Sequence, residues 1–391
     1  MLTPSVQSIA SPPHGRLSWA GLLLACLLAA LSAGAADIEA PIQSRMHAFR
    51  VVTLADGLEH PWSLAFLPDG RILVSERPGR LRLFENGRLH PEPIAGLPPI
   101  RAHGQGGLFD IVLHPEHRKN GWIYFSLAGP GPGLASGTEL ARGRLHGHRL
   151  EDVEVLFRMT PKRSGGQHFG GRIVFDRAGF VYLTLGDRGE MDEAQNLANH
   201  IGAVVRLHDD GRVPRDNPYL GRANARPEVF SHGHRNIQGA ARHPVSGAIW
   251  SHEHGPQGGD EINILRPGVN YGWPVITYGA HYGSGEPIGE GTHKPGMAQP
   301  LYRWTPSIAP SGMAFYDADA FPRWRGDLFL GGLRSRMLVR LRLDGDKVVE
   351  EERLLTGRDR IRDVRTGPDG RIYLLTDAAN GRLMRLEPAG N

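Results

Sequence analysis

A turn containing glycine, followed by a short hydrophobic strand, recurs six times along the chain and constrains its fold more than any other feature. The turn glycines stand at positions 70, 121, 179, 247, 326 and 370, at intervals of 51, 58, 68, 79 and 44 residues. The runs that follow, such as residues 122–126 and 181–184, are rich in β-branched and aromatic side chains, as β-strands are. Irregular repeats of this length are typical of propeller blades.

A four-stranded blade cannot bury both faces alone, so blades stack radially around a central channel. We therefore predict an all-β fold, a six-bladed β-propeller with four-stranded antiparallel blades. The alternative is a β-sandwich with unrelated hairpin turns, which six copies over nearly the whole chain disfavour. We also expect a strand near residues 49–52 to close the ring by pairing into the last blade. The 52 glycines and 30 prolines suit strands joined by tight turns better than a helical bundle.

The first 35 residues have the pattern of an export signal. Arg16 is followed by an apolar run over residues 20–31, too short to span a bilayer, and by a small-residue cleavage pattern at 33–35. We expect residues 1–35 to be removed, and residues 36–391 to form one catalytic propeller domain in the periplasm or outside the cell.

Composition excludes several other classes of protein. The single cysteine, Cys26, lies in the predicted leader, so the mature chain is expected to have neither disulfides nor thiol chemistry. Lipoprotein anchoring at Cys26 is the alternative to simple export. Lys and Arg total 45 against 41 Asp and Glu, and they are scattered, which gives no indication of nucleic-acid binding. No later segment has the 18 apolar residues of a transmembrane helix.

His168 and Asp187 are the first candidates for catalysis. His168 stands among glycines just before a strand, and Asp187 follows 19 residues later. A carboxylate beside an imidazole fixes its tautomer and raises its basicity, as a general base requires. The alternative is a turn histidine with a solvated aspartate.

Three further clusters suggest binding. Arg235 and Asn236 place a forked donor beside an amide, which can bind a carboxylate or stabilise a developing oxyanion, unless they only cap strand ends. The His-Glu-His-Gly-Pro run at 252–256 lacks the helical zinc spacing and better suits a hard cation bound by backbone carbonyls, such as calcium. Arg360 and Arg362 share one face of a predicted strand, and with Arg334 they suit an anion with several carboxylates or phosphates. Surface salt bridging is the alternative for these arginines.

Taken together, these segments resemble the soluble pyrroloquinoline-quinone (PQQ)-dependent sugar dehydrogenases of the glucose/sorbosone dehydrogenase family, especially its periplasmic aldose sugar dehydrogenase branch. The resemblance runs from about residue 57 to residue 386. Its landmarks are residues 104–108 (GQGGL), 167–172 (QHFGGR), 233–236 (GHRN), 253–256 (EHGP), 306–311 (PSIAPS) and 360–364 (RIRDV).

The resemblance implies PQQ above the channel of a six-bladed propeller, with calcium beside it, and oxidation of aldoses at C1 to the lactone. It implies that His168 is the general base, Asp187 its orienting carboxylate and Arg235 a group that polarises the quinone. The implied contacts of PQQ are Gln105, Arg235, Asn236, Ser307, Arg334, Arg360 and Arg362. The backbone carbonyls of Gly255 and Pro256 correspond to calcium ligands, and the electron acceptor, soluble or membrane-linked, is left open.

Three positions depart from the glucose enzymes of this family. An acidic residue before the base is replaced by Gln167, a lysine that contacts PQQ is Arg334, and an aromatic that flanks the sugar corresponds to Thr305, next to Trp304. Because charge is retained, we expect PQQ binding with a broad aldose range. A metal-dependent lactonase and a non-catalytic carbohydrate-binding propeller stay open as alternatives.

Overall fold

The computed structural model describes residues 1–2 and 37–390 of the chain. The predicted leader and Cys26 lie outside the described residues, so the export signal and the domain boundary at residue 35 stay predictions. Within residues 37–390 the only α-helix is α1 (His117–Asn120), and 3₁₀ turns occupy Met191–Gln195 and Pro322–Trp324. No helix in this part of the chain is both long and apolar enough to cross a bilayer.

The strands form six antiparallel sheets, each built on four strands, which are the blades of a six-bladed β-propeller. The strands before blade 1 are β1 (Asp37–Ile38), β2 (Ile42–Gln43) and β3 (Ala48–Leu58). Blade 1 comprises β4 (Pro61–Phe66), β5 (Ile72–Glu76), β6 (Arg80–Glu85) and β7 (Arg88–Leu89). Blade 2 comprises β8 (Leu108–Leu113), β9 (Trp122–Pro130), β10 (Ser136–His146) and β11 (Arg149–Arg158).

The remaining blades follow in chain order. Blade 3 comprises β12 (Gly170–Phe175), β13 (Val181–Leu185), β14 (Ala203–Leu207) and β15 (Val229–His232). Blade 4 comprises β16 (Ile237–Arg242), β17 (Ile249–Glu253), β18 (Asp260–Ile264) and β19 (Tyr302–Trp304). Blade 5 comprises β20 (Pro310–Phe315), β21 (Leu328–Gly332), β22 (Met337–Asp344) and β23 (Lys347–Leu354). Blade 6 takes β24 (Ile361–Thr366), β25 (Ile372–Thr376) and β26 (Gly381–Pro388), with β3 as its outer strand.

The ring closes through the pairing of β3 with β26. Their register runs antiparallel from Phe49 opposite Pro388 to Leu58 opposite Gly381. The last blade therefore contains strands from both ends of the described chain. This confirms both the predicted fold and the predicted closing strand.

The six repeat glycines all lie in the turn between the first and second strands of a blade. Each has a left-handed backbone, with φ between 71° and 90°. A side chain is strained in that region, whereas glycine adopts it freely. The repeat seen in the sequence is therefore one turn of each blade, at the end of the propeller opposite the loops described below.

The innermost strands fill the channel with paired charges. Arg172 of β12 donates to Asp363 of β24 at 2.8 Å, and Arg365 donates to Asp110 of β8 at 2.6 Å. Arg172, Asp110 and Asp363 are essentially inaccessible to solvent. Because each guanidinium has a carboxylate partner, the channel interior stays balanced in charge while it links three blades.

The direction of the strands decides which loops share an end of the propeller. Neighbouring strands of each blade are antiparallel, so the loop between the second and third strands lies at the same end as the connection to the next blade. We call this end the loop face. Every residue proposed for the site from the sequence lies in one of these loops or, like Arg362, within two residues of one.

Candidate active site

A cavity of about 200 Å³ opens within the loop face. Five of the residues predicted to contact a cofactor line it, and they come from four different blades. These residues are Gln105, Asn236, Arg334, Arg360 and Arg362. Stretches of sequence more than 250 residues apart (105 and 362) therefore meet at one place, as the sequence predicted.

Aromatic rings form one wall of the cavity. Trp62, Phe109 and Phe169 all line it and are all buried. The Phe109 ring centroid lies 5.5 Å from that of Trp62 and 5.5 Å from that of Phe169. An apolar aromatic wall beside polar groups suits a flat ligand with charged substituents.

The lining also includes positively charged guanidinium groups, in contrast to the apolar aromatic wall. Arg360 and Arg362 both donate to the same oxygen of Asp377, at 3.1 Å and 2.9 Å. Burial opposes ionisation of Asp377, but Arg362 and the hydrogen bonds from His60 and Arg360 hold its pKa well below the ordinary value. The Arg334 side chain has no hydrogen-bond or ion-pair partner within residues 37–390.

His168 and Asp187 meet as predicted. Their side chains approach to 2.6 Å, between His168 Nδ1 and Asp187 Oδ1. The backbone amide of His168 donates to Gln105 Oε1 at 2.9 Å, which ties the histidine to the cavity lining. The other ring nitrogen, Nε2, has no hydrogen-bond partner in the described part of the chain, so it is free to accept a proton from a substrate.

Asp187 is itself held by two further donors. The Gly189 amide donates to Oδ1 at 2.8 Å, and the Trp273 indole donates to Oδ2 at 2.8 Å. Burial favours the neutral acid, yet the contacts with His168 and Gly189 prevail and lower the pKa of Asp187. Both carboxylate oxygens are therefore fixed, and Asp187 holds the imidazole in one orientation.

The pKa of His168 is lowered, chiefly because burial disfavours the imidazolium. The hydrogen bond that His168 donates to Asp187 opposes this shift, and the positive charge of Arg235 adds to it. The imidazole is accordingly neutral at neutral pH. A neutral imidazole with a fixed tautomer and an unoccupied nitrogen has the properties of a general base.

Arg235 lies beside this pair rather than in the lining of the main cavity. It is 7% exposed, and its guanidinium donates to the His254 carbonyl at 3.1 Å. Its own carbonyl accepts a hydrogen bond from the Asp187 amide at 2.8 Å. Arg235 also lines a small neighbouring cavity of about 10 Å³ that includes Gly255 and Glu261.

The loop that contains Gly255 and Pro256 is crowded with backbone carbonyls. A Cβ atom at Gly255 would collide with the carbonyl oxygens of Gly258 and Gly259, and one at Gly279 would collide with that of Pro256. The Pro256 carbonyl accepts a hydrogen bond from the Ala280 amide at 3.2 Å. Neutral oxygen donors of this kind are those that calcium prefers, so the donor chemistry of the loop fits a hard cation.

The side chains of the His-Glu-His run have separate partners. His252 Nε2 lies 3.1 Å from the Gly312 carbonyl, and His254 Nε2 lies 2.7 Å from the Pro310 carbonyl. Glu253 pairs with His234 Nδ1 at 2.8 Å. Among the described residues, no group of three or more His, Cys, Asp or Glu side chains is placed to hold a metal ion.

Ser307 and Trp304 lie outside the lining of the main cavity. The Ser307 hydroxyl lies 2.8 Å and 2.9 Å from the two carboxylate oxygens of Asp260. Trp304 is buried, and its indole donates to Glu351 at 2.8 Å. The contact of Ser307 with a cofactor stays a prediction, and Trp304 is not exposed to flank a sugar.

Several site residues were not predicted. Arg77, Asp377 and Trp273 lie at the site, but none forms part of a polar motif that stands out in the sequence. Arg77 and Asp377 each directly follow the second strand of a blade, and Asp187 follows β13 by two residues. When the blades are aligned with one another, this shared position after the second strand is the signal that would identify these residues.

Known proteins resemble this chain over most of its length. The family model described as Glucose / Sorbosone dehydrogenase matches residues 58–385. Aldose sugar dehydrogenase YliI of Escherichia coli (strain K12) is 44% identical over 370 residues, which cover 93% of this chain and 97% of the relative.

Solved structures show the same similarity. A crystal structure of a glucose dehydrogenase is 53% identical with a TM-score of 0.84, covering 86% of this chain and 98% of that one. The PQQ-bound form of an aldose sugar dehydrogenase from Streptomyces coelicolor is 28% identical with a TM-score of 0.72. That match covers 89% of this chain and 99% of the Streptomyces chain.

Proposed function

This chain belongs to the glucose/sorbosone dehydrogenase family, and we propose from its site that it oxidises aldose sugars at C1 to the lactone with PQQ and calcium. As a member of the family it is an oxidoreductase that acts on CH–OH groups of sugars and uses a quinone of the PQQ type. The observation that carries the finer proposal is the arginine-lined cavity next to the His168–Asp187 pair.

The cavity fits PQQ in its chemistry. PQQ is a planar ortho-quinone with three carboxylates, and the lining combines aromatic rings with the guanidinium groups of Arg334, Arg360 and Arg362. Guanidinium forks bind carboxylates through two parallel hydrogen bonds. Gln105 and Asn236 add neutral amides at the same lining.

Calcium fits the neighbouring loop. The carbonyl oxygens of Gly255 and Pro256 would hold it, because the glycine-rich backbone there offers neutral oxygen donors. Calcium bound at this loop would supply positive charge close to Arg235.

His168 would act as the base. The chemistry supplied by bound PQQ is acceptance of the C1 hydride, which leaves the lactone. His168 Nε2 would take the proton of the C1 hydroxyl as the C–H bond breaks, while Asp187 and Trp273 keep the ring in place. Arg235, desolvated and beside the base, would stabilise the negative charge that develops on the quinone oxygen.

The sugar itself is expected to be variable. Thr305 and the buried Trp304 offer no exposed ring where the glucose enzymes have an aromatic side chain next to the sugar. We therefore expect several aldoses to be oxidised at comparable rates. Export to the periplasm or the medium, by way of residues 1–35, would place the enzyme with such sugars.

The test is to add PQQ and calcium to the purified protein and follow reduction of a redox dye with xylose, glucose and maltose. We expect dye reduction that depends on PQQ, calcium and sugar together. The proposal would be refuted if the protein retains no PQQ and oxidises none of the sugars. A lactone ring opened in the absence of PQQ would instead support the lactonase alternative, and sugar binding without turnover would support the binding module.

His168→Ala separates the base from the cofactor site. The variant is expected to bind PQQ with unchanged affinity and to lose at least about a hundredfold in kcat, since a general base contributes on that order. Asn196→Ala, an exposed position on the same face, is a matched control that should keep normal turnover. A variant His168→Ala that reduces dye at the unaltered rate would show that the base is elsewhere.

A further inference from the structure

The predicted arginines that line the cavity do not balance the three carboxylates of PQQ, since Arg235 lies outside the lining and is assigned to the quinone oxygen. Arg334, Arg360 and Arg362 carry three positive charges, but Asp377 lies among them and accepts from both Arg360 and Arg362. The low pKa of Asp377 keeps it ionised. The net charge of these four residues is therefore two positive, against three carboxylates on the cofactor.

Arg77 is a fourth arginine in the same lining. It directly follows β5, in the loop of blade 1 that lies on the loop face. Its guanidinium has no hydrogen-bond or ion-pair partner among residues 37–390, unlike the neighbouring Arg80, which pairs with Glu59 and Glu76. A cation without a partner in a cavity lined by other cations is unfavourable unless an anion binds there.

The backbone of Arg77 is held firmly in this position. Its amide donates to the His60 carbonyl at 3.0 Å, and its carbonyl accepts from the Leu108 amide at 3.1 Å. Gly107 lies against it so closely that any side chain there would collide with the Arg77 carbonyl. The loop is thus built to keep residue 77 at the cavity, while the side chain contributes no ion pair to the fold.

We propose that Arg77 binds a carboxylate of PQQ, as a fourth guanidinium of the cofactor site. This inference rests on the proposed function. With Arg77 the lining has four arginines and one aspartate, a net charge of three positive that matches three carboxylates. Because the guanidinium has two parallel donors, it can bind the carboxylate in a bidentate manner.

The experiment measures the dissociation constant of PQQ by equilibrium titration of the apo-protein with calcium present, following the absorbance of the bound quinone. Arg77→Gln removes the charge, and we expect about tenfold to a hundredfold weaker binding, the range for a hydrogen bond to a charged group. Arg77→Lys keeps the charge without the fork and should bind with intermediate affinity. The unfolding midpoint of the apo-protein should not fall in either variant, since the Arg77 side chain has no ion-pair partner among residues 37–390.

Arg71→Gln is the matched control. Arg71 belongs to the same blade but lies in the turn at the opposite end, where it pairs with Asp69. It should bind PQQ as tightly as the unaltered chain. If Arg77→Gln binds PQQ as tightly as the unaltered protein, only the role of Arg77 is overturned. If the unaltered protein does not bind PQQ, the proposed function is overturned.

Discussion

The hydrogen bonds of His168 hold it in a strained backbone conformation. Its φ is 51°, in the left-handed region that residues with a side chain seldom adopt. Such strain costs on the order of 1–3 kcal/mol and persists only where the surroundings enforce it. Here Gln105 fixes the amide and Asp187 fixes the ring. The conformation aims one nitrogen at Asp187 and leaves the other without a protein partner.

The lowered pKa of His168 predicts the pH dependence of turnover. Because burial lowers the pKa of His168 below 6.5, the imidazole is already deprotonated at neutral pH, as the proposed general base must be. The acidic limb of kcat/KM is therefore expected below pH 6.5, with a plateau above it. Steady-state kinetics across this range would check it, and an acidic limb above pH 7 would contradict it.

Asp187→Asn tests the orienting carboxylate. The substitution removes the anion that favours the imidazolium, so the pKa of His168 should fall further and the acidic limb should move to lower pH. We expect kcat to fall at least about tenfold because the tautomer is no longer fixed. Asp192→Asn, five residues later and exposed, is the control. An unaltered kcat and pH profile in Asp187→Asn would remove Asp187 from the mechanism.

Residue by residue, the sequence identified the site best where polar side chains cluster among glycines. His168, Asp187 and Arg235 stand in such clusters, and the structure brings them together. Trp273 could not be found this way, because its indole reaches Asp187 from a loop 86 residues away. Asp377 was not predicted either, because a lone aspartate after a strand has no local feature that distinguishes it.

At the scale of elements, Arg340 holds the outer strands of blade 5 together. It lies on β22 with a fully buried guanidinium, which donates to Asp327 at 2.6 Å and to Glu352 of β23 at 2.8 Å. A third carboxylate, Glu350, lies 3.1 Å away. Burial raises the pKa of Asp327 to about 6, and the charge and hydrogen bond of Arg340 oppose that shift.

Arg340→Met is expected to destabilise the protein by about 3–5 kcal/mol, because it leaves the Asp327 carboxylate without a partner and Glu352 with only the Arg45 amide. Arg342→Met is the matched control, two residues along the same strand with a side chain 46% exposed and a 3.2 Å contact to Glu350. That change should cost at most about 1 kcal/mol. Urea unfolding of both variants measures the difference, and equal midpoints would contradict the account of blade 5.

Elements were the most predictable level of this structure. Strands β9 and β13 begin at their predicted positions, because strand residues and the turn glycine before them are local signals. The pairing of Arg340 with carboxylates on other strands depends instead on register. Register becomes visible only when the sheet is assembled.

For the whole molecule, closure of the ring was predicted from a single run of residues near the N-terminus, 49–52. Ala48 and Ala389 are joined by a hydrogen bond of 3.0 Å between the Ala389 amide and the Ala48 carbonyl. Without β3, blade 6 would lack its outer strand. The core would also lose the buried side chains of Phe49 and Val51. The ion pair between Arg172 and Asp363 at the centre of the ring could not be predicted, because its two residues lie in separate segments of the sequence.

A chain that begins at residue 59 should therefore fail to fold cooperatively. It lacks β3 and exposes the edge of β26 along the register from Gly381 to Pro388. A chain that begins at residue 47 keeps the strand and is expected to unfold in one transition. Thermal unfolding followed by circular dichroism compares them, and indistinguishable transitions would show that closure by β3 is dispensable.

We expect PQQ to bind in the cavity on the loop face, beside His168. The most direct measurement is a crystal structure of the protein soaked with PQQ and calcium. We predict the quinone against Trp62, with its carboxylates at the arginines of the lining and its reactive carbonyl next to Arg235 and His168. A quinone bound elsewhere, or a cavity that stays empty at saturating PQQ, would show that this cavity is not the cofactor site.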